Sequence, residues 1–218
     1  MAADILLIDD HPMVRTALRS ILTTQDDWRV CAEASSLQEA MDAVKAHEPQ
    51  IALVDLQLQN GNGIEIVQEL KRQNSKIRML VVSMHDENLY AERALRAGAH
   101  GYICKTESSQ TLIAAIRRVL DGKHYVSDSM NERILANSST DNDEFPETRI
   151  ELLSDRELQT FELIGDGLTA REIAERLGVA VKTVNTFREN IKSKLKIDSA
   201  NRLTRVAIEW KLTGAFSN

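Results

Sequence analysis

The chain opens with two alternating patterns of hydrophobic residues. "DILLID", "WRVCAEA", "IALVD", "IRMLVVS" and "GYICK" are short apolar runs that read as strands. Between them, apolar residues recur at helical spacing: Val14, Leu18, Ile21 and Leu22; Ala40 and Val44, behind Ser36 and Glu39 set as a capping box; Ile66, Val67 and Leu70 in a helix from about Gly63. "LYAERALRAGA" and "SQTLIAAIRRVLDG" are two further helices, stopped by Gly98 and Gly122. Runs that are apolar throughout belong to strands buried on both faces, and strand–helix units in series demand a parallel sheet. The pattern predicts an α/β domain over residues 1–124, with a doubly wound five-stranded parallel sheet.

After Gly122 the pattern fades. Residues 125–149 are polar and acidic with one weak helical turn, and read as a linker. From about residue 150 to 218 the pattern is helical only. "SDRE" (Ser154, Glu157) and "TARE" (Thr169, Glu172) are capping boxes, "AREIAERLG" stops at Gly178, and "VKTVNTFRENIKSKL" starts shortly afterwards. A last helix carries Leu203, Val206, Ala207 and Trp210 on one face, so an all-α, four-helix second domain is expected.

Composition adds four constraints. At 43% apolar and 28% charged residues, the chain can bury a core in each domain. No apolar run nears the roughly 20 residues that span a bilayer, and no signal peptide precedes the first strand, so a cytoplasmic protein with no membrane partner is expected. Cys31 and Cys104 are far apart and form no metal or redox spacing. The net charge of -6 is unevenly placed: Lys182 to Lys196 holds five basic residues and one acid, an excess that could meet a polyanion.

Chemistry gathers at the strand ends. In a parallel sheet ligands bind at the carboxyl edge, and that edge receives Asp9 and Asp10 after the first strand, Asp55 after the third, Ser83 at the end of the fourth and Lys105 after the fifth. Each alone is commonly a helix cap, a turn residue or a solvated charge. Together they are three carboxylates that repel one another, relieved by a hard divalent cation, with Mg²⁺ the best match. A carboxylate beside such a cation can attack phosphorus, and a hydroxyl and an ammonium can hold the phosphoryl oxygens. His11 and His85 could suggest a transition-metal site with the aspartates instead, but neither spacing is a ligand motif and the ordinary reading is a loop histidine.

"LLIDDHP", "VDLQLQNGNG", "VVSMHDE" and "GYICK", in this order, resemble the receiver domain of bacterial two-component response regulators, a flavodoxin-like fold. The resemblance implies that Asp55 is the phospho-acceptor, that Asp10 and Asp55 ligate Mg²⁺ with the Gln57 backbone carbonyl, and that Asp9 acts through water. It makes Ser83 and Lys105 phosphoryl contacts, Ser83 and Tyr102 switch residues with the tyrosine turning inward on activation, and Gln57 and His85 side chains that tune phosphoryl lifetime. Gln59 departs from the family's proline, at a cost below roughly 1 kcal/mol.

The basic helix lies second in a helix-turn-helix, which would place it in a DNA major groove. Lys182, Asn185, Thr186 and Glu189 share an outward face suited to base edges, while Thr183, Arg188, Lys192 and Lys194 suit phosphates. A solvated basic face is the ordinary alternative. "EIAERLGV", "KTV", "RENI" and "KL" are similar to the LuxR-type helix-turn-helix, and the two resemblances together imply the NarL/FixJ class. That class implies a sensor histidine kinase as phosphodonor, promoter DNA as target, a homodimer when active through Leu203, Val206, Ala207 and Trp210, and RNA polymerase as a further candidate partner. Ala180 stands where a capping serine is common, forfeiting about 1 kcal/mol; Asn185 and Phe187 replace a common lysine and histidine.

Two rivals have sequence-level discriminators. An aspartate-nucleophile phosphohydrolase would carry a second acid two residues after the nucleophile, and Gln57 stands there, so the chain is expected not to be an enzyme beyond assisting its own phosphorylation and dephosphorylation. A receiver-fold regulator acting without phosphate, through protein contacts, would not need the charged set that is present.

Overall fold

Complete burial of Ile5 to Ile8 and near-complete burial of Ile51 to Val54 shows why these runs are apolar at every position: both faces of the strands are covered. A computed structural model describes residues 2–58, 61–73, 76–138, 150 and 152–213. They fall into two compact units, Met1–Thr140 and Asp141–Asn218.

The first unit runs β1 (Ala3–Ile8), α1 (Pro12–Leu22), β2 (Trp28–Ala34), α2 (Leu37–His47), β3 (Ile51–Val54), β4 (Gln57–Leu58), β5 (Gly61–Asn62), α3 (Gly63–Gln73), β6 (Arg78–Ser83), α4 (Glu87–Ala97), β7 (Gly101–Cys104), α5 (Ser109–Leu120) and α6 (Asp128–Ser138). Five strands form one parallel sheet in the order β2-β1-β3-β6-β7. The order reverses at β1, so the crevice between the ends of β1 and β3 is the switch point of a flavodoxin-like sheet. Leu18 and Leu22 of α1 and Leu112, Ile116 and Val119 of α5 pack with Ile5, Leu7, Leu53, Leu80 and Ile103. β4 and β5 pair antiparallel as a separate two-stranded ribbon, which sequence periodicity over so few residues could not show. Gln59 lies outside the described residues.

Within the stretch read as linker, residues 125–138 are ordered parts of the first unit. Tyr125 extends the sheet edge: its N–H donates to His100 O at 3.0 Å and its carbonyl accepts from Tyr102 N at 2.8 Å. α6 follows and buries Met130. The Ser127 N–H donates to Glu87 Oε1 of α4 at 2.9 Å, and Arg133 reaches Asn88 O at 3.4 Å. The helix contributes little apolar area and takes its position from α4, which explains its faint periodicity.

The second unit holds α7 (Asp155–Gly165), α8 (Ala170–Leu177), α9 (Val181–Leu195) and α10 (Ala200–Thr213). Both capping boxes that open α7 and α8 are complete, with Ser154 and Glu157, then Thr169 and Glu172, bonded reciprocally. The third box is only half made. Ser36 caps Glu39 N, but the Glu39 carboxylate turns to Ser35 N and Oγ at 2.7 Å. Gly178 ends α8 in the left-handed conformation, with φ 65°, and α9 begins three residues on without a side-chain cap from Ala180. The unit's core is Leu158, Phe161, Ile173, Val184, Ile191 and Leu203.

Candidate functional site

The parallel sheet delivers its polar strand ends to one edge. Lys105 Nζ lies 2.7 Å from Asp9 Oδ2 and 2.8 Å from Asp55 Oδ2, joining the ends of β1, β3 and β7. Asp9 and Asp55 are buried, and Lys105 is mostly buried beside them. Burial pushes the Asp55 carboxyl above its ordinary value, and the charge of Asp9 acts in the same direction. The Lys105 ammonium and the Gln57 N–H oppose this without overcoming it. Among the described residues Asp55 Oδ1 has no hydrogen-bond partner. A buried carboxylate oxygen left bare beside a second carboxylate is suited to a cation. Asp55 and Lys105 also form one wall of a cleft of about 470 Å³ that extends between Met13, Val14 and Leu112.

The expected ligand set is brought together in part. Asp9, His11 and Asp55 each present a ligand atom within 4.8 Å of the others. Asp10 lies outside that group and meets it through His11, whose Nδ1 is 2.9 Å from Asp10 Oδ1. Gln57 follows in β4, lining the same cleft as Asp55. Spacing along the chain gave no sign of His11, because its approach depends on the turn from β1 into α1.

Ser83 ends β6, fully buried, and its Oγ accepts the His85 N–H at 3.2 Å. Tyr102 lies on β7 with its ring already inside the protein, its hydroxyl donating to His85 O at 2.8 Å. The inward position expected only on activation is therefore the one occupied here. The His85 ring stands 4.5 Å from that of Tyr90.

The loop after Asp55 is shaped by Gly63. A Cβ on Gly63 would overlap the Asp55 carbonyl oxygen and lie 2.6 Å from Leu56 Cα. The Gly63 N–H donates to Leu56 O at 3.1 Å, and Asn62 Oδ1 caps Ile64 N at 2.9 Å. The glycine that sequence reading took only as a helix start is thus a close-contact residue holding the acid's own backbone.

In the second unit α9 presents Lys182, Asn185, Thr186 and Glu189 to solvent and turns Val184, Ile191 and Leu195 inward. Thr183 and Arg188 are half-buried at the border. Lys192 pairs with Glu189 at 2.9 Å. Lys194, expected as a phosphate clamp, is instead committed within the unit: its Nζ meets Glu157 Oε2 at 2.6 Å.

The face expected to dimerise divides. Leu203 and Ala207 are completely buried and belong to the unit's own core, so they are withdrawn as contact residues. The Trp210 ring packs 5.6 Å from Phe161, Val206 is half-buried, and Ile208 and Leu212 are the exposed apolar residues of α10. A helical period cannot tell which side of a broad apolar face meets its own domain.

Two family models match the chain. The model described as "Response regulator receiver domain" covers residues 5–117, and that described as "Bacterial regulatory proteins, luxR family" covers residues 151–207. The chain is 32% identical over 213 residues to response regulator UvrY of Escherichia coli (strain K12), covering 97% of this chain and 96% of that one. It is 33% identical over 217 residues to oxygen regulatory protein NreC of Staphylococcus carnosus, covering 95% and 98%. Among solved structures, RcsB from Salmonella enterica serovar Typhimurium bound to promoter rprA shares the fold, with a TM-score of 0.66, 21% identity and coverage of 94% of this chain and 98% of that one. Among the described residues no helix is long and apolar enough to cross a membrane.

Proposed function

The chain belongs to the LuxR-type two-component response regulators of the NarL/FixJ class, and from that premise we propose that it is switched by phosphorylation of Asp55 from a sensor histidine kinase. The members of this class are transcription regulators with a DNA-binding helix-turn-helix, not classical enzymes. One observation carries the reading: Lys105 bridges Asp9 and Asp55 and leaves Asp55 Oδ1 bare beside an open cleft.

The residues divide the work as follows. Asp55 attacks the donor phosphorus; burial keeps its carboxylate basic and hence nucleophilic. The donor's phosphorus–oxygen or phosphorus–nitrogen bond breaks as the aspartyl phosphate forms. Lys105 holds a phosphoryl oxygen, exchanging one carboxylate contact for another anion. The donor set is oxygen-rich and suits Mg²⁺, which Asp55, Asp10 and the Gln57 carbonyl would hold, with Asp9 acting through water, and which would supply charge neutralisation of the phosphoryl oxygens. The Gln57 and His85 side chains flank the phosphoryl position and set how readily water removes it.

Ser83 turns its hydroxyl from the His85 N–H to the new phosphoryl oxygen. This loosens the 83–85 loop, which Tyr102 holds from its other side through His85 O. The loop leads directly into α4, whose Glu87 carries the Ser127 N–H at the start of α6. The change therefore reaches α6, the last helix of the first unit ahead of the DNA-binding domain (150–218), through residues already bonded in series. The phosphorylated state favours a homodimer on promoter DNA, with Lys182, Asn185, Thr186 and Glu189 at base edges and Thr183, Arg188 and Lys192 at phosphates. The dimer contact falls on Val206, Trp210 and the exposed Ile208 and Leu212. RNA polymerase is then a partner at the promoter, and the protein works in the cytoplasm.

The test is incorporation of phosphate from acetyl phosphate with Mg²⁺, read by phosphate-affinity electrophoresis and peptide mass spectrometry. Modification at Asp55, lost in Asp55→Asn and accompanied by tighter promoter binding, is the expected result. DNA binding that is indifferent to acetyl phosphate and to Asp55→Asn would favour the phosphate-independent protein-contact regulator instead.

A further inference from the structure

His11 is spent on nothing that its position requires. It is the N-cap residue of α1, yet its ring makes no capping bond, and Pro12 removes one of the N–H groups a cap would serve. The ring turns back over the acid pocket instead: Nδ1 is 3.2 Å from Asp9 Oδ1 and 2.9 Å from Asp10 Oδ1. Both neighbours are carboxylate oxygens, and the ring is half-exposed. A ring nitrogen set beside two carboxylates is placed to join them around a cation.

We propose that His11 Nδ1 is a nitrogen ligand, which with Asp9 and Asp55 gives this pocket a site for a borderline divalent transition ion of the zinc class. The proposal rests on reading the pocket as a divalent-cation site, and adds to it a second class of ion. Ligands about 2.0–2.1 Å from a tetrahedral zinc lie roughly 3.3 Å apart, the spacing His11 and Asp9 already have. Asp55 completes the set within 4.8 Å, and its bare Oδ1 is the oxygen available, since Lys105 occupies Oδ2. Three protein ligands and one open position suit zinc or cobalt, whereas Mg²⁺ prefers oxygen throughout and has no use for imidazole. The two ion classes would share Asp55, so loading with one excludes the other.

The experiment is calorimetric titration of the full chain with Zn²⁺ and, separately, with Mg²⁺, for wild type, His11→Ala, His11→Gln and Asp55→Asn, together with visible absorption of bound Co²⁺. The expected result is a loss of Zn²⁺ affinity of about tenfold or more in both His11 variants. Mg²⁺ affinity should stay within about twofold in those variants, and an intense tetrahedral Co²⁺ band should be present only when His11 is. Asp55→Asn should weaken both ions. Equal Zn²⁺ affinity with and without His11, or an unchanged Co²⁺ spectrum, overturns the proposal while the Mg²⁺ reading stands. Failure of the wild type to bind either ion overturns both.

Discussion

Lys194 Nζ and Glu157 Oε2, 2.6 Å apart, tie the end of the basic helix α9 to the first turn of α7. Glu157 is buried, and burial alone would raise its carboxyl. Lys194 and the backbone N–H and hydroxyl of Ser154 outweigh this and hold it below the ordinary carboxylate range. Lys194→Met should therefore lower the stability of the second unit by about 2 kcal/mol, because it strands a buried carboxylate; the figure is reduced for the part-exposed lysine. Chemical denaturation followed by Trp210 fluorescence in a Trp28→Phe background measures it. Loss of DNA binding in this variant should track the unfolded fraction.

Lys192 is the contrasting case. Its partner Glu189 is largely exposed and one helical turn away, so Lys192→Ala should leave thermal stability almost unchanged. It should weaken binding to all duplexes alike and reduce the salt slope of log K by about one. Affinity measured over a salt series separates the two lysines, and an unaltered slope would remove Lys192 from the phosphate contacts.

Gly63→Ala places a methyl group on the Asp55 carbonyl, where only backbone can yield. The expected outcome is slower phosphorylation by acetyl phosphate, with a loss of about 1–3 kcal/mol in stability. Gly165→Ala sets a Cβ 2.7 Å from Ala207 O, and should destabilise the second unit by a similar amount while leaving phosphorylation untouched. The pair distinguishes a strained site from general loss of fold.

His100 provides a test by pH. Burial lowers its pKa from 6.5 to about 4, and Arg78, Lys71 and His124 push in the same direction; its Nδ1 accepts the Met79 N–H at 3.2 Å. Between pH 6.5 and about 4 the unfolded chain binds a proton that the native state refuses. Stability contributed by neutral His100 is complete above pH 6.5 and falls as pH is lowered to about 4, by on the order of 1–3 kcal/mol. His100→Gln, which keeps an acceptor for Met79, should flatten this part of the curve in urea melts at successive pH values. Equal slopes in both proteins would show that other groups set the acid limb.

Glu87→Ala removes the acceptor for the Ser127 N–H without touching the acid pocket. Phosphorylation should proceed normally, while the gain in DNA affinity on phosphorylation shrinks. Retention of the full gain would show that the signal does not pass through this bond.

The strands, helices and strand-end acids were legible in the chain because they depend on local rules: continuous burial for parallel strands, a helical period for the cover, and capping pairs at fixed spacing. Asp9, Asp55, Ser83 and Lys105 follow onto one edge from the strand pattern alone, since a doubly wound sheet sends every strand end the same way. Other features rest on distance in space between residues far apart in sequence. Glu157 and Lys194 are 37 positions apart, and nothing in either helix alone shows that the lysine is spent on the acid. Leu203 and Ala207 look the same as Val206 and Trp210 along a helical wheel until α7 covers one side. His11 is near its carboxylates in sequence, but the turn before α1 aims its ring. Hydrophobic spacing records which residues avoid water; it does not record which neighbour covers them, and that choice follows from packing.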